Sequence, residues 1–243
     1  MSITEESGAQ AGPTAGTASD GRSSTRRAHL PRRLVQLYLG LVLYGVSMGL
    51  MLRAELGLEP WSVLNQGLSF HSGMSIGMVT IVSGALILLL WIPLRQRPGL
   101  GTVSNVVILG LVMDATLAVV PDLASLGLRI PLLAFAVVLN GAATGLYISA
   151  RFGPGPRDGL MTGLHQRTGR PLRLVRTAIE ITVLAAGYLL GGSVGVGTVV
   201  YALAIGPLAQ FFIRRFAIKG LPAKPSLVVA GESPRPEQAI LPE

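Results

Sequence analysis

Six apolar stretches, each about as long as a bilayer-crossing helix, fill most of this 243-residue chain. They run roughly Leu34–Arg53, Ser75–Leu94, Thr102–Pro121, Ile130–Arg151, Pro171–Gly191 and Val196–Phe216. A hydrocarbon core about 30 Å thick needs about 20 residues of helix, and lipid offers no water to an unpaired backbone amide. The stretches therefore predict α-helices, and together they predict an all-α, polytopic membrane bundle. Composition agrees: half of the residues are hydrophobic and 13% are charged, where a soluble domain carries about a quarter. The net charge of +8 does not point to nucleic acid, because the basic residues sit between the apolar runs. The chain has no cysteine, which excludes disulfides, thiolate metal sites and cysteine nucleophiles.

Charge then orients the bundle. Eighteen of the twenty basic residues fall in the N-terminal segment, the loop with Arg95 and Arg97, the link from Arg151 to Arg176, and the C-terminal segment. Only Arg53 and Arg129 lie on the other side. The positive-inside rule places both termini in the cytoplasm of a plasma membrane. Residues 1–33 read as a basic, Ser/Thr/Gly-rich tail without a signal-peptide core, and 219–243 as a proline-rich tail. The spans lie between, in two blocks, 34–121 and 130–216.

The blocks repeat each other. "LGLEPWSVLNQGLSF" from Leu56 returns 96 positions later as "FGPGPRDGLMTGLHQ" from Phe152, and "GLGTV" at Gly99 returns as "GVGTV" at Gly195. Gly45, Gly49, Gly57, Gly67, Gly73, Gly99, Gly101 and Gly110 all meet glycines at that offset. Glycine is 31 of 243 residues, too few for eight such coincidences. Each copy holds three spans. An odd number sends the second copy into the membrane from the opposite side, so the spacing predicts two inverted three-helix repeats, an architecture of secondary transporters. The repeated loop is nearly uncharged in the outside copy and arginine-rich in the cytoplasmic copy. It is about a dozen residues long, which makes it a short interfacial or re-entrant helix. Pro60 and Pro156 stand where such a helix begins, Gly73 and Gly169 where it ends.

These loops, with "PRDGL" at Pro156–Leu160 as the most specific stretch, resemble the YczE/YyaS/YitT-like family of bacterial integral membrane proteins over roughly residues 34–216. The resemblance implies a multi-span bacterial membrane protein and brings no settled activity. The first loop reads Glu59-Pro60-Trp61-Ser62 where the family pattern is Gly-Pro-Trp-Asp, so the resemblance places no essential acid there.

Candidate site residues follow from the cost of polar groups in a membrane. Glu180 lies mid-span, either as a proton or cation site or as the partner of Arg176 one turn away. Asp114 and its repeat partner Gln210 could face each other across the axis between the halves, or serve as interhelical hydrogen-bonding glue. Asn105 pairs with Tyr201 and Asn140 with Tyr44 in the same exchange of polar types. Arg157 and Asp158 open the second loop helix, which either dips into the membrane with its dipole or lies flat on a solvated surface. Glycines four apart, such as Gly45/Gly49 and Gly141/Gly145, read as helix-packing contacts.

No catalytic, nucleotide or metal motif is present, so neither an enzyme nor a cofactor is expected. Two functions remain. One is a small-solute secondary transporter of unknown substrate. The other is a non-transporting regulatory or assembly protein whose basic loop binds a partner or anionic lipid. The lipid bilayer is a partner in both.

Overall fold

The computed structural model describes residues 30–217, and these form eight helices with no strand. They are α1 (Leu30–Ala54), α2 (Pro60–Ser72), α3 (Ile76–Trp91), α4 (Leu100–Val119), α5 (Leu126–Ala150), α6 (Pro156–Thr168), α7 (Leu172–Leu189) and α8 (Val196–Phe216). The expected tails, 1–33 and 219–243, fall outside the described residues, apart from Leu30–Arg33, which begin α1.

Each helix of the second block starts 96 residues after its counterpart in the first. The local causes repeat as well. Proline stands in the first turn of both α2 and α6, where its missing N–H has no helical partner to lose. Gly73 and Gly169 end these helices in the left-handed conformation, at φ 69° and 67°. Ser75 caps α3, accepting from the Met78 amide at 3.2 Å.

Four helices, α1, α4, α5 and α8, are each long and apolar enough to cross a membrane. The count is five if α2 and α3, bent by 112° at their joint, form one broken span. The regions expected as the second and fifth of six spans form α3 and α7. The 16 residues of α3 are about 24 Å long, because Pro93 and the Arg95–Arg97 turn follow. The 18 residues of α7 include Arg173, Arg176 and Glu180.

α1 and α5 run antiparallel at the centre. Arg33 near the start of α1 donates to the carbonyls of Ala150 and Arg151 at the end of α5. At the opposite end Arg129 of α5 pairs with Glu55, just past α1, at 2.8 Å. Arg53 pairs with Asp122, so both arginines expected outside the cytoplasm are neutralised.

Glycine faces let the long helices meet. Gly45 and Gly49 seat α1 on Leu109–Thr116 of α4, and Gly141 and Gly145 seat α5 on Leu208–Ile213 of α8. In lipid such small-residue contacts hold helices together, since burial of apolar surface drives little.

Two further bonds are counterparts. The Gly101 amide donates to the Phe152 carbonyl at 3.0 Å, and the Gly197 amide donates to the Leu56 carbonyl at 2.7 Å. They lie at opposite ends of the α1/α5 pair. Gly57 and Gly153 make these corners possible. Their φ values of 112° and 125° disfavour a side chain, and a Cβ there would strike Gly195 or Thr102.

Candidate functional site

The two short helices bring their N-termini together inside the bundle. Glu59 is the N-cap of α2 and is only 5% exposed. Its carboxylate accepts from the Trp61 amide at 3.3 Å and from the Ser62 hydroxyl at 3.0 Å. In the second copy Gly155 takes the cap position and brings no side chain. Arg157, in the first turn of α6, instead reaches across and donates to Glu59 Oε1 at 2.6 Å. The guanidinium also lies 5.1 Å from the centroid of the Trp61 ring. One carboxylate thus caps its own helix and holds the arginine of the other.

Polar side chains surround this pair. The Tyr147 hydroxyl donates to Asp158 Oδ2 at 2.9 Å. Tyr44 packs edge-on against Tyr147 and is within electrostatic range of Glu59, Arg157 and Asp158. Tyr201 donates to Asn140 Oδ1 at 3.1 Å, and Asn140 donates to Ser47 at 2.8 Å. Around the base of α6 pack Trp61, Ile87, Trp91 and Leu160, and the Trp91 indole donates to the Pro156 carbonyl at 3.0 Å. A cavity of about 20 Å³ lies between α3, α4 and α6, with Thr80, Ser83, Asn105 and Arg157 among its walls.

Of the expected site residues, Arg157, Asp158 and Asn105 converge here. Arg176 and Glu180 form an ion pair along α7 at 2.9 Å, with side chains 42% and 36% exposed. Arg176 is within electrostatic range of Asp158 and Tyr201.

Asp114 and Gln210 do not meet. Asp114 accepts from the Ser75 hydroxyl at 2.5 Å and the Gly77 amide at 2.8 Å, which anchors the start of α3 on α4. Gln210 lies on α8 beside Pro207, Phe211, Arg214 and Arg215. The cause is a difference between the copies. Gly77 and Gly84 fit α3 closely against Gly110 and Val106 of α4. Their counterparts on α7 are Arg173 and Glu180, and α7 barely touches α8. Gln210 therefore has no helix start to anchor.

Glu59 was the residue that sequence reasoning missed, because the family pattern has glycine there. Its signal was an acid directly before the proline of a helix start, where an N-cap belongs. The paired exchanges of Asn105 with Tyr201 and of Asn140 with Tyr44 were the signal for the surrounding shell. Among the described residues no three histidine or carboxylate side chains gather as a metal site.

The chain is similar to several bacterial proteins. A Haemophilus influenzae protein described as uncharacterized is 37% identical over 181 residues, covering 74% of this chain and 83% of its own. The uncharacterized membrane protein YczE of Bacillus subtilis is 34% identical over 177 residues, covering 72% and 82%. YyaS of the same organism is 25% identical over 179 residues, covering 72% and 89%. No solved structure matches. Residues 31–214, the whole of the repeated unit, match the family of unknown function DUF6198, and the chain belongs to that family.

Proposed function

We propose that this protein is a secondary carrier of a small solute, built as two inverted repeats, with its transport site at the Glu59–Arg157 pair. One observation carries the reading: a buried acid and a half-buried base, one from each half of the chain, bonded at 2.6 Å where two helix N-termini meet. Removing such a pair from water costs several kcal/mol per ion, and an apolar pair would stabilise a bundle as well or better. Ionisable groups inside a membrane bundle mark pathways by default. Inverted-repeat carriers place their sites near the midplane between the halves, at the ends of short or broken helices.

The rest of the fold supports the same reading. The antiparallel α1 and α5 and the counterpart bonds at Gly101 and Gly197 are what an axis in the membrane plane produces. In this reading α3 and α7 cross with the four longer helices, giving six spans with both termini cytoplasmic. The halves also differ in closure. α3 lies tight on α4, while α7, which carries the Arg176–Glu180 pair, stands off α8. One closed and one loosened half is the form of a carrier open to one side.

The test is uptake into proteoliposomes across a panel of small metabolites, with and without a pH gradient. Glu59→Gln and Arg157→Gln should abolish a flux that the native protein supports, in variants that remain folded. If folded native protein moves no solute in the panel, the carrier is excluded for those solutes. The regulatory reading, through the arginine-dense 151–176 segment, then takes its place.

A further inference from the structure

We infer that the cavity bounded by Arg157 and Asn105 binds a small monovalent anion, and that it fills when Glu59 takes up a proton and releases Arg157. This names the substrate class of the site above and rests on the carrier reading.

Asn105 supplies the first observation. It is 8% exposed, and its side chain makes no hydrogen bond with any described residue. Its amide is not sealed off but borders the cavity, where an occupant would give it a partner. Its counterpart Tyr201 is satisfied by Asn140. The other walls have their donors engaged: Ser83 donates to Asn65 and Thr80 donates to Ile76. The free donors at the cavity are thus the Asn105 amide and Arg157, beside the amides of the first turn of α6.

Charge and volume narrow the class. Arg157 is permanently cationic and shares one bond with Glu59. Groups facing Glu59 are the Trp61 amide and Ser62 of α2, Arg157 and Asp158 of α6, Tyr44 of α1 and Tyr201 of α8. Of these only Arg157 and Asp158 are charged. A proton arriving on the Glu59 carboxylate removes one negative charge, and a monovalent anion on Arg157 restores it, so the local charge is unchanged. A dianion would leave the centre more negative. About 20 Å³ holds roughly one water. A halide or the carboxylate end of a short organic acid matches that scale.

The chain provides its own probe. Trp61 and Trp91 are its two tryptophans. The first stacks on Arg157 and the second bonds the residue before it. Intrinsic fluorescence of the full chain in detergent can be titrated with sodium chloride, sodium acetate and sodium sulfate. We expect a saturable change with chloride or acetate, stronger at lower pH, and none with sulfate. Chloride alone would identify a halide, acetate alone a carboxylate. Asn105→Leu should weaken binding about tenfold, and Glu59→Gln should strengthen it about tenfold and remove its pH dependence. Helix content by circular dichroism shows that each variant is folded, and either one decides the matter. No saturable response to chloride or acetate, an equal response to sulfate, or the same affinity in both variants overturns the proposal. Binding needs no flux, so the two readings separate. Solute uptake without anion binding keeps the carrier and removes the anion, while anion binding without uptake does the reverse.

Discussion

Trp61 and Arg157 stand at the same position in the two halves of the chain, 96 residues apart, and they stack, with the guanidinium 5.1 Å from the indole centroid. The two halves thus meet at the first turns of α2 and α6, and there they differ in chemistry: an aromatic face and a capping acid on one side, a cation on the other. Charge is complementary there while the helix starts are repeated.

The first prediction concerns that pair. Arg157→Gln leaves Glu59 buried without its cation, and Glu59→Gln leaves Arg157 without its anion. Each is expected to destabilise the protein by about 3–5 kcal/mol, with the double variant regaining most of the loss. Thermal or denaturant unfolding in detergent measures the coupling. Additive losses in the double variant would show that the two charges do not depend on each other.

A second ion pair should behave differently. Arg176 and Glu180 are one turn apart on α7 and more than a third exposed. Such pairs contribute about 0.3–0.5 kcal/mol. Glu180→Gln is expected to lower stability by less than about 1 kcal/mol, an order below the loss from the central pair. If solute uptake is measurable, Glu180→Gln should change its rate or pH dependence, because it releases an arginine within electrostatic range of Asp158 and Tyr201. A loss of stability equal to that of Glu59→Gln would place Glu180 in a dry interior.

Orientation can be read without background, since the chain has no cysteine. Ser193→Cys, in the turn before α8, should react with an impermeant thiol reagent applied to intact cells. Thr168→Cys, at the end of α6, should react only after the membrane is opened. The opposite pattern would invert the orientation drawn from the basic residues.

Helix limits were legible because they depend on neighbours in sequence. Pro60, Pro156, Gly73, Gly169 and Ser75 all act within a turn of their own position. The offset of 96 made the two loops equivalent, and the structure repeats every helix start at that spacing. What it could not convey is which counterparts meet. Trp61 and Arg157 touch. Asp114 and Gln210 are equally well matched in sequence and do not, each having its neighbours elsewhere. The Glu59–Arg157 bond joins residues 98 apart that are not counterparts, so no symmetry argument pointed to it.

The last prediction turns on two equivalent glycines with different surroundings. Gly110 of α4 and Gly206 of α8 occupy the same repeat position. A Cβ on Gly110 would lie 2.4 Å from the Gly77 carbonyl oxygen and 2.5 Å from Ile81 Cγ1, because α3 is packed tightly there. A Cβ on Gly206 would meet nothing within 4 Å, because Arg173 replaces Gly77 and α7 stands away. Gly110→Ala must push two helices apart and is expected to cost about 1–3 kcal/mol, as overpacking does in tight interiors. Gly206→Ala meets no such clash, and alanine favours helix over glycine by up to about 1 kcal/mol. It should be neutral or stabilising. The comparison holds residue type, helix position and repeat register constant, so it isolates the gap between α7 and α8. Equal losses from the two substitutions would mean that α7 packs on α8 as α3 packs on α4, and that the protein is closed on both sides.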